Sequence, residues 1–299
     1  MKDERAIAYV DLVSRARRVL GRRVEALATF MGGKVPVSQL MPGKMLRTKL
    51  AARLVSNGSL PVDLRTLERA CAATEMVHTA SLCHDDVIDK SIVRRGRPTL
   101  WRATTRSGAV LVGDLLLCDA MELLLDTDGG RYVGAFVKKL KEVCLAEAEQ
   151  ELALRGRQLD EQTCLRLARG KTGPLFAFVG QVCGGDDEEL SAAIEEAGYR
   201  IGTAYQLGDD LLDVVGEERV AAKTLGTDQR RGKLTLPQLS AQGPVRTREQ
   251  IDRLCRCSID CVSGWPGVRT GIEEFWDCDL QPILDGYGIS SDVRVRPGT

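Results

Sequence analysis

Aromatic residues and strand-forming patterns are scarce in this 299-residue sequence. Phe, Trp and Tyr make up 4% of the chain, and the alternation of apolar and polar residues that is typical of half-buried strands is almost absent. Ala, Leu, Arg and Glu, which are abundant, recur at helical spacing between Gly and Pro breaks. The sequence therefore predicts an all-α fold. No Gly/Ser- or Pro-rich linker divides it, so we expect one domain over residues 1–299, with a divergent, less regular C-terminal part at 240–299.

The chain also lacks net charge, paired cysteines and a long uninterrupted apolar run. Lys plus Arg and Asp plus Glu number 42 each, which gives no reason to expect nucleic acid as a partner. The ten cysteines form no CxxC pair and no Cys/His zinc spacing, so they are interpreted as reduced thiols. The longest apolar run, 109–125, contains three acidic residues that would be costly in lipid. Because residues 1–5 are charged rather than typical of a signal peptide, we expect a cytoplasmic protein without a membrane span.

An acidic pattern that occurs twice is the most informative feature that is present. It reads DDVID at 85–89 and DDLLD at 209–213, each within an otherwise apolar helical stretch. The first and fifth positions share one helix face, where like charges repel and where burial raises the cost steeply. A divalent cation such as Mg²⁺ would relieve that cost, because it takes oxygen ligands from one or two carboxylates together with substrate phosphates. The repeat favours a metal site over a solvated acidic surface.

Basic residues lie close to both acidic motifs. Arg94 and Arg95 sit in a Gly/Pro turn just after the first motif, where their guanidinium groups suit phosphate oxygens. Lys44 and Arg47 lie one turn apart at a predicted helix start, and His78 precedes Asp85 by two turns. Further candidate cations are Lys171, Lys223 and Lys233. Considered alone, each lysine or arginine could be a solvated surface side chain, and His78 could be a core histidine. Together they predict a site for a metal-bound polyanion.

The order and spacing of these blocks resemble the trans-isoprenyl diphosphate synthase (polyprenyl synthetase) family. The matching blocks are GKxxR at 43–47, HTASLCHDDVID at 78–89, RRGxPT at 94–99, GDxLL at 113–117, KTGxLF at 171–176, QLxDDxLD at 206–213 and GKLTLP at 232–237. The resemblance implies a helical bundle around a central cavity, the isoprenoid synthase type I fold, and a homodimer.

The resemblance also implies a role for each matching residue. The two acidic motifs would face each other across the cavity and hold three Mg²⁺ ions, with Mn²⁺ as a substitute, on an allylic diphosphate. The implied metal ligands are Asp85, Asp89 and Asp209, supported by Asp86 and Asp213. The implied allylic diphosphate cations are Arg94, Lys171, Lys223 and Lys233. The implied isopentenyl diphosphate residues are Lys44, Arg47, His78 and Arg95. Thr172 and Gln206 would lie near the developing carbocation and, with Lys171 and the metal ligands, complete the implied catalytic set.

The implied reaction is head-to-tail elongation of an allylic prenyl diphosphate by isopentenyl diphosphate, which gives a longer (E)-polyprenyl diphosphate and diphosphate. Ala80 and Ser81, one turn before Asp85, are expected to point into the tunnel that holds the growing chain. Both are small, where an aromatic ring would act as a floor, so we predict a product longer than C15. The alternatives are a short-chain farnesyl or geranylgeranyl diphosphate synthase, a class I terpene cyclase, and a non-catalytic subunit of a heteromeric synthase. Two intact acidic motifs and the second set of cations argue against the last two.

Overall fold

The computed structural model describes residues 2–58, 60–215 and 232–287, and these residues are almost entirely helical. The main helices are α1 Lys2–Phe30, α2 Val37–Leu40, α3 Leu46–Asn57, α4 Leu64–Ile88, α5 Leu100–Ala103, α6 Arg106–Leu125, α7 Val133–Ala148, α8 Glu161–Gly184 and α9 Glu188–Val215. The C-terminal helices are α10 Gly243–Asp260, α11 Pro266–Phe275 and α12 Gln281–Gly286. The all-α prediction is confirmed.

Short irregular elements connect these helices. Two 3₁₀ turns cover Asp128–Gly130 and Leu236–Gln238, and two π-helical turns cover Glu149–Ala153 and Trp276–Leu280. The described strands are two residues each, β1 Val93–Arg94 and β2 Arg97–Pro98, and they pair antiparallel. No helix in the described ranges combines the length and the apolar content that crossing a bilayer requires.

Helix α4 is the centre of the bundle. It contacts α1, α3, α6 and α8, and its residues from Ala70 to Val77 are buried. The helix begins at a capping residue, since the Asp63 side chain accepts a hydrogen bond from the Thr66 backbone N–H at 2.9 Å. Burial on all sides fixes the direction in which its remaining polar side chains point, which matters for the site described below.

Helices α8 and α9 pack against each other at close range because glycines lie where the two helices meet. A Cβ at Gly202 of α9 would lie 2.7 Å from the Cα of Gly173 on α8, and one at Gly198 would lie 2.6 Å from the Phe176 carbonyl oxygen. Both distances are shorter than van der Waals contact, so a larger residue would push the helices apart. This close pair aligns Lys171 and Thr172 on α8 with Gln206 and Asp209 on α9.

The segment after residue 240, where the helical pattern weakens, is nevertheless mostly helical as far as Gly286, with one break at 261–265. Pro266 begins α11 rather than breaking it, because proline is tolerated in the first turn of a helix. Gly267 permits a close approach to α3, where a Cβ would lie 2.5 Å from the Asn57 carbonyl oxygen. Helix α10 packs on α9 and α11 packs on α3. The expectation of an irregular C-terminal part was therefore wrong for residues 243–260 and 266–286, whereas the break expected near Gly264 is present, and residues 293–299 lie outside the described residues.

Candidate active site

Side chains from α3, α4, α7, α8 and α9 line one cavity of about 620 Å³. This volume is in the range that ligand sites occupy. The cavity brings together most of the residues that the sequence singled out. They are Lys44, Arg47, His78, Ser81, Asp85, Asp89, Arg94, Arg95, Lys171, Thr172, Gln206, Asp209, Asp213 and Lys233. Lys223 lies outside the described residues.

One face of α4 presents a mostly polar stripe to the cavity. Glu75, His78, Asp85 and Asp89, with the apolar Leu82 among them, are spaced three or four positions apart, and all of them line the cavity. Burial raises the pKa of Asp85 to about 6, and the nearby Glu147 carboxylate adds to the rise, while Lys171, Arg94 and Lys233 oppose it. The charged form of Asp85 is thus costly until more positive charge is supplied.

Asp86 and Arg94 form a bidentate ion pair beside this stripe. The Arg94 Nη2 and Nε atoms donate to Asp86 Oδ1 at 2.7 and 2.9 Å, and Asp86 is buried. The carboxylates of Asp86, Asp85 and Asp209 all raise the pKa of Arg94, although burial opposes them. Asp86 itself is not among the residues that line the cavity. Asp86 is thus placed to orient Arg94 toward the cavity.

Lysines contribute positive charge from two other elements. Lys233, which is 7% exposed, places its Nζ 3.4 Å from Asp89 Oδ1 and 3.4 Å from Glu151 Oε2. The Nζ of Lys171 on α8 lies 3.1 Å from Glu147 Oε2 on α7. Two of the cations that the family resemblance assigns to an allylic diphosphate, Lys171 and Lys233, therefore lie close to the first acidic motif.

A chain of hydrogen bonds joins α8 to the second acidic motif. The Thr172 hydroxyl donates to Gln206 Oε1 at 2.5 Å, and Gln206 Nε2 donates to Asp210 Oδ1 at 2.8 Å. Asp210 and Asp213 are buried, and both line the cavity. Because Asp210 accepts from the amide NH₂, the amide oxygen of Gln206 faces Thr172.

The carboxylates of the two motifs fit a metal that binds together with an anion. Among the described residues, no three acidic, histidine or cysteine side chains already converge on a point that could hold an ion. Mg²⁺ is commonly held by one or two carboxylates together with waters and substrate phosphates rather than by a complete protein cage. Asp85, Asp89 and Asp209 supply hard oxygen donors on the walls of one cavity, so they suit such a shared site.

A second group of cations occupies the part of the cavity near α3. Arg47 is 5% exposed, its Nε has no hydrogen-bond partner, and its guanidinium lies 5.1 Å from the Phe176 ring centre. Burial lowers the pKa of Arg47, while the Glu75 carboxylate raises it. A buried guanidinium with an open donor is arranged to bind an anion.

Arg95 reaches this second group through a strained turn. Arg95 and Gly96 have φ values of 52° and 71°, which suit the central positions of the tight turn between β1 and β2. The guanidinium of Arg95 lies against Gly43, where a Cβ would be only 2.5 Å from Nη2. Glycine before Lys44 therefore leaves room for the Arg95 guanidinium in its observed position.

His78 lies among the arginines of the second group. Burial lowers its pKa well below the usual value, and the charges of Arg47, Arg95 and Arg94 lower it further. The imidazole is consequently neutral at physiological pH, where it can donate one hydrogen bond to an anion without adding charge.

The two predicted chain-length residues occupy different environments. Ser81 lines the cavity, and its hydroxyl donates to the His78 carbonyl oxygen at 2.9 Å. Ala80 is fully buried in the packed core and is not one of the cavity-lining residues. The observed position therefore agrees with the expected one for Ser81 and disagrees with it for Ala80. The apolar wall beside it includes Val77, Val143 and Leu167.

Sequence reasoning missed several polar residues in the cavity, namely Glu75, Glu147, Gln150, Tyr205 and Tyr287, and it gave Asp210 of the second acidic motif no role of its own. Glu75 could have been found by extending the α4 stripe one step before His78. Gln150 lies in the π-helical turn 149–153, where its buried Oε1 has no partner, and sequence periodicity does not predict such turns. Tyr287 lies beyond every recognised block, so no local signal marked it.

The helical bundle around this cavity has the isoprenoid synthase fold. A polyprenyl synthase of Caulobacter crescentus, solved with calcium and isoprenyl diphosphate, superposes with a TM-score of 0.79 at 23% identity over 98% of each chain. The polyprenyl synthetase family model matches residues 34–258, and the chain belongs to that family.

Two relatives have similar identity but different names. A heptaprenyl diphosphate synthase component 2 of Bacillus subtilis is 34% identical over 192 residues, which cover 63% of this chain and 55% of the relative. A (2E,6E)-farnesyl diphosphate synthase of Mycobacterium tuberculosis is 35% identical over 208 residues, which cover 65% and 55%. The chain thus spans little more than half the length of these curated relatives.

Proposed function

We propose that this chain is a trans-prenyltransferase that condenses an allylic prenyl diphosphate with isopentenyl diphosphate. The observation that carries the proposal is a single cavity lined by two separate groups of residues, acidic side chains with lysines in one part and arginines with a histidine in the other. Asp85, Asp89 and Asp209 mark a site for a metal-bound diphosphate. Arg47 and Arg95 mark a second site that can neutralise a diphosphate through guanidinium groups.

Each group of residues has a distinct task in this reaction. Arg94, Lys171 and Lys233 hold the allylic diphosphate, and Lys223 is assigned to the same set by the family resemblance. Mg²⁺ bound with that diphosphate, for which we propose three ions and Mn²⁺ as a substitute, neutralises charge on the leaving group.

The second site and the polar chain from Thr172 to Asp210 complete the arrangement. Lys44, Arg47, His78 and Arg95 orient isopentenyl diphosphate so that its double bond faces the allylic carbon. The oxygens of Thr172 and Gln206 present partial negative charge to the carbocation. Support comes from the Caulobacter crescentus protein, whose structure contains calcium and isoprenyl diphosphate.

We propose a product longer than C15. Ser81 is small and lines the cavity, and no aromatic side chain of α4 is present among the described lining residues. The similarity to known proteins does not decide the length, because a heptaprenyl and a farnesyl synthase are almost equally identical to this chain.

The test is incubation of the purified protein and Mg²⁺ with labelled isopentenyl diphosphate and an allylic primer of C5, C10 or C15. Mass spectrometry of the products should show chains that extend past C15. Growth that stops at C15 would assign a short-chain synthase. Hydrocarbon release from the allylic diphosphate alone would assign a terpene cyclase, and no turnover without a second protein would assign a subunit of a heteromeric synthase.

We further propose that the chain assembles as a homodimer through α6. The exposed side of this helix carries an apolar stripe of Leu111, Leu115, Cys118 and Leu125, with Leu111 and Leu125 61% and 58% exposed, beside the exposed carboxylates of Asp114 and Glu122. Exposed leucines grouped on one side of a helix are a candidate contact surface, and a second copy of the same stripe would cover it with two-fold symmetry. The Bacillus subtilis relative is named as component 2, so a different partner chain is the alternative occupant.

A further inference from the structure

Tyr287, at the end of α12, reaches the second anion site from outside the matched family region. The family model ends at residue 258, whereas Tyr287 lines the cavity. Its backbone N–H donates to the Ile283 and Leu284 carbonyl oxygens at 3.1 and 3.0 Å, and Leu284 is fully buried. The position of the ring is thus fixed by the packing of α12.

The Tyr287 side chain contacts Lys44 in two ways. The Lys44 ammonium donates to the Tyr287 hydroxyl at 3.0 Å, and the same nitrogen lies 4.9 Å from the ring centre. A cation over the face of an aromatic ring gains electrostatic stabilisation, and the hydroxyl adds a direction to that contact. Lys44 is otherwise an exposed side chain with many rotamers, so this contact limits where its charge is found.

The same hydroxyl links Lys44 to α9. Tyr287 is hydrogen-bonded to Tyr205, and burial, followed by the charges of Tyr205 and Asp209, raises the pKa of Tyr287. Tyr205 directly precedes Gln206, and its ring lies 6.4 Å from that of Phe176, the ring that Arg47 contacts. Tyr287 therefore touches the second anion site and lies beside the residues of the second acidic motif.

A buried carboxylate holds this C-terminal element against the N-terminal helices. Asp279, which is 5% exposed, accepts from the Tyr9 hydroxyl at 2.8 Å and from Arg53 Nε at 2.7 Å. Lys49 Nζ lies 3.2 Å from the same group. Because α12 follows this anchor directly, the fold sets the position of Tyr287 relative to α3 and Lys44.

We propose that Tyr287 is a positioning residue for isopentenyl diphosphate, which holds the Lys44 ammonium at the mouth of the second anion site. The proposal rests on the proposed function. It assigns a task in the reaction to the C-terminal segment that the family blocks do not cover. Removal of the hydroxyl should impair the use of isopentenyl diphosphate and leave the allylic site unaffected.

The test compares Tyr287→Phe and Tyr287→Leu with the matched control Tyr132→Phe, a buried tyrosine for which no contact with the cavity is observed. We expect Tyr287→Phe to raise the KM for isopentenyl diphosphate about fivefold and Tyr287→Leu about twentyfold, because the first loses a hydrogen bond and the second also loses the ring. The kcat and the KM for the allylic substrate should change by less than about twofold. In a Lys44→Gln background the further effect of Tyr287→Phe should vanish.

A binding measurement tests the role of Tyr287 separately from the proposed function. Calorimetry with isopentenyl diphosphate in EDTA measures the metal-free site, and Tyr287→Phe should weaken the Kd by the same factor as the KM. An unchanged KM and Kd in Tyr287→Phe, or an equal rise in both KM values, would overturn the role of Tyr287 while elongation by the wild type still stood. If the wild type binds isopentenyl diphosphate but does not elongate, the proposed function fails, and the Kd comparison still decides the role of Tyr287.

Discussion

At the scale of single residues, Ala80 and Ser81 show how neighbours on one helix have different consequences for the product. Ser81→Phe places a ring in the cavity, so we expect the product distribution to shift to shorter chains with little loss of stability. Ala80 is fully buried in the core, so Ala80→Phe should instead destabilise the protein by about 2 kcal/mol through overpacking. Mass spectrometry of products and urea unfolding of both variants give the comparison. Unchanged product length in a folded Ser81→Phe variant would exclude Ser81 as a chain-length residue.

Substitution of Asp85 should lower the activity without lowering the stability. Its half-buried carboxylate lies near Glu147, so the charge is unfavourable for the free protein and useful only when cations bind. Asp85→Asn should lower kcat by roughly 10²–10³-fold and leave the free energy of unfolding unchanged or slightly raised. Steady-state kinetics and urea unfolding measure the two effects. The exposed Asp126→Asn is the matched control, and near-normal turnover of Asp85→Asn would contradict its assignment as a metal ligand.

The sequence predicts which residues form much of the site better than it predicts the contacts that those residues make. The spacing of His78, Asp85 and Asp89 put them on one face of α4, because a buried helix has a fixed period. The pairing of Asp86 with Arg94 could not be predicted, since it depends on a turn in which Arg95 takes a positive φ. The inward position of Tyr287 depends on packing between ends of the chain, about which local sequence carries no information.

At the scale of helices, the C-terminal part is held to the bundle by the buried Asp279. Tyr9, Lys49 and Arg53 bring α1 and α3 to this carboxylate, so Asp279→Ala would leave partly buried donors and cations without their acceptor. We expect a loss of about 2 kcal/mol in the free energy of unfolding, measured by urea denaturation. Asp285→Ala, in the exposed part of α12, is the control and should change stability by less than about 0.5 kcal/mol. Equal stability of the two variants would show that Asp279 is not an anchor.

The C-terminal helices also show why the sequence underestimated this region. Gly264 to Gly267 reads as a helix break, and the chain does leave the helix at 261–265, but Pro266 then starts α11 and Gly267 lies against α3. Asp279 continues the buried face of Val268, Ile272 and Phe275 at regular helical spacing, but the spacing does not predict that its partners come from Tyr9 on α1 and Arg53 on α3. Tertiary contacts, rather than intrinsic propensity, determine the structure here.

At the scale of the whole molecule, metal binding should depend on the anion. Asp85, Asp89 and Asp209 do not form a complete site by themselves, so Mg²⁺ alone should raise Tm little. Mg²⁺ together with inorganic pyrophosphate should raise Tm more than the sum of the two separate effects, because a ligand that binds only the native state stabilises it. Thermal unfolding measures this coupling. A full rise in Tm with Mg²⁺ alone, or a normal joint effect in Asp209→Asn, would contradict a shared metal–diphosphate site.

The apolar stripe of α6 makes the assembly of the molecule testable. Leu111 is 61% exposed in the single chain, and a charge placed there would have to be buried without a partner in a symmetric interface. Leu111→Glu should therefore convert a dimer to a monomer while the helical content is retained, as measured by light scattering and circular dichroism. The control is Val245→Glu, because Val245 is 53% exposed on α10, which packs on α9 rather than on α4, and this variant should stay dimeric. A monomeric wild type that becomes active on addition of a second protein would instead assign the α6 stripe to a different partner chain.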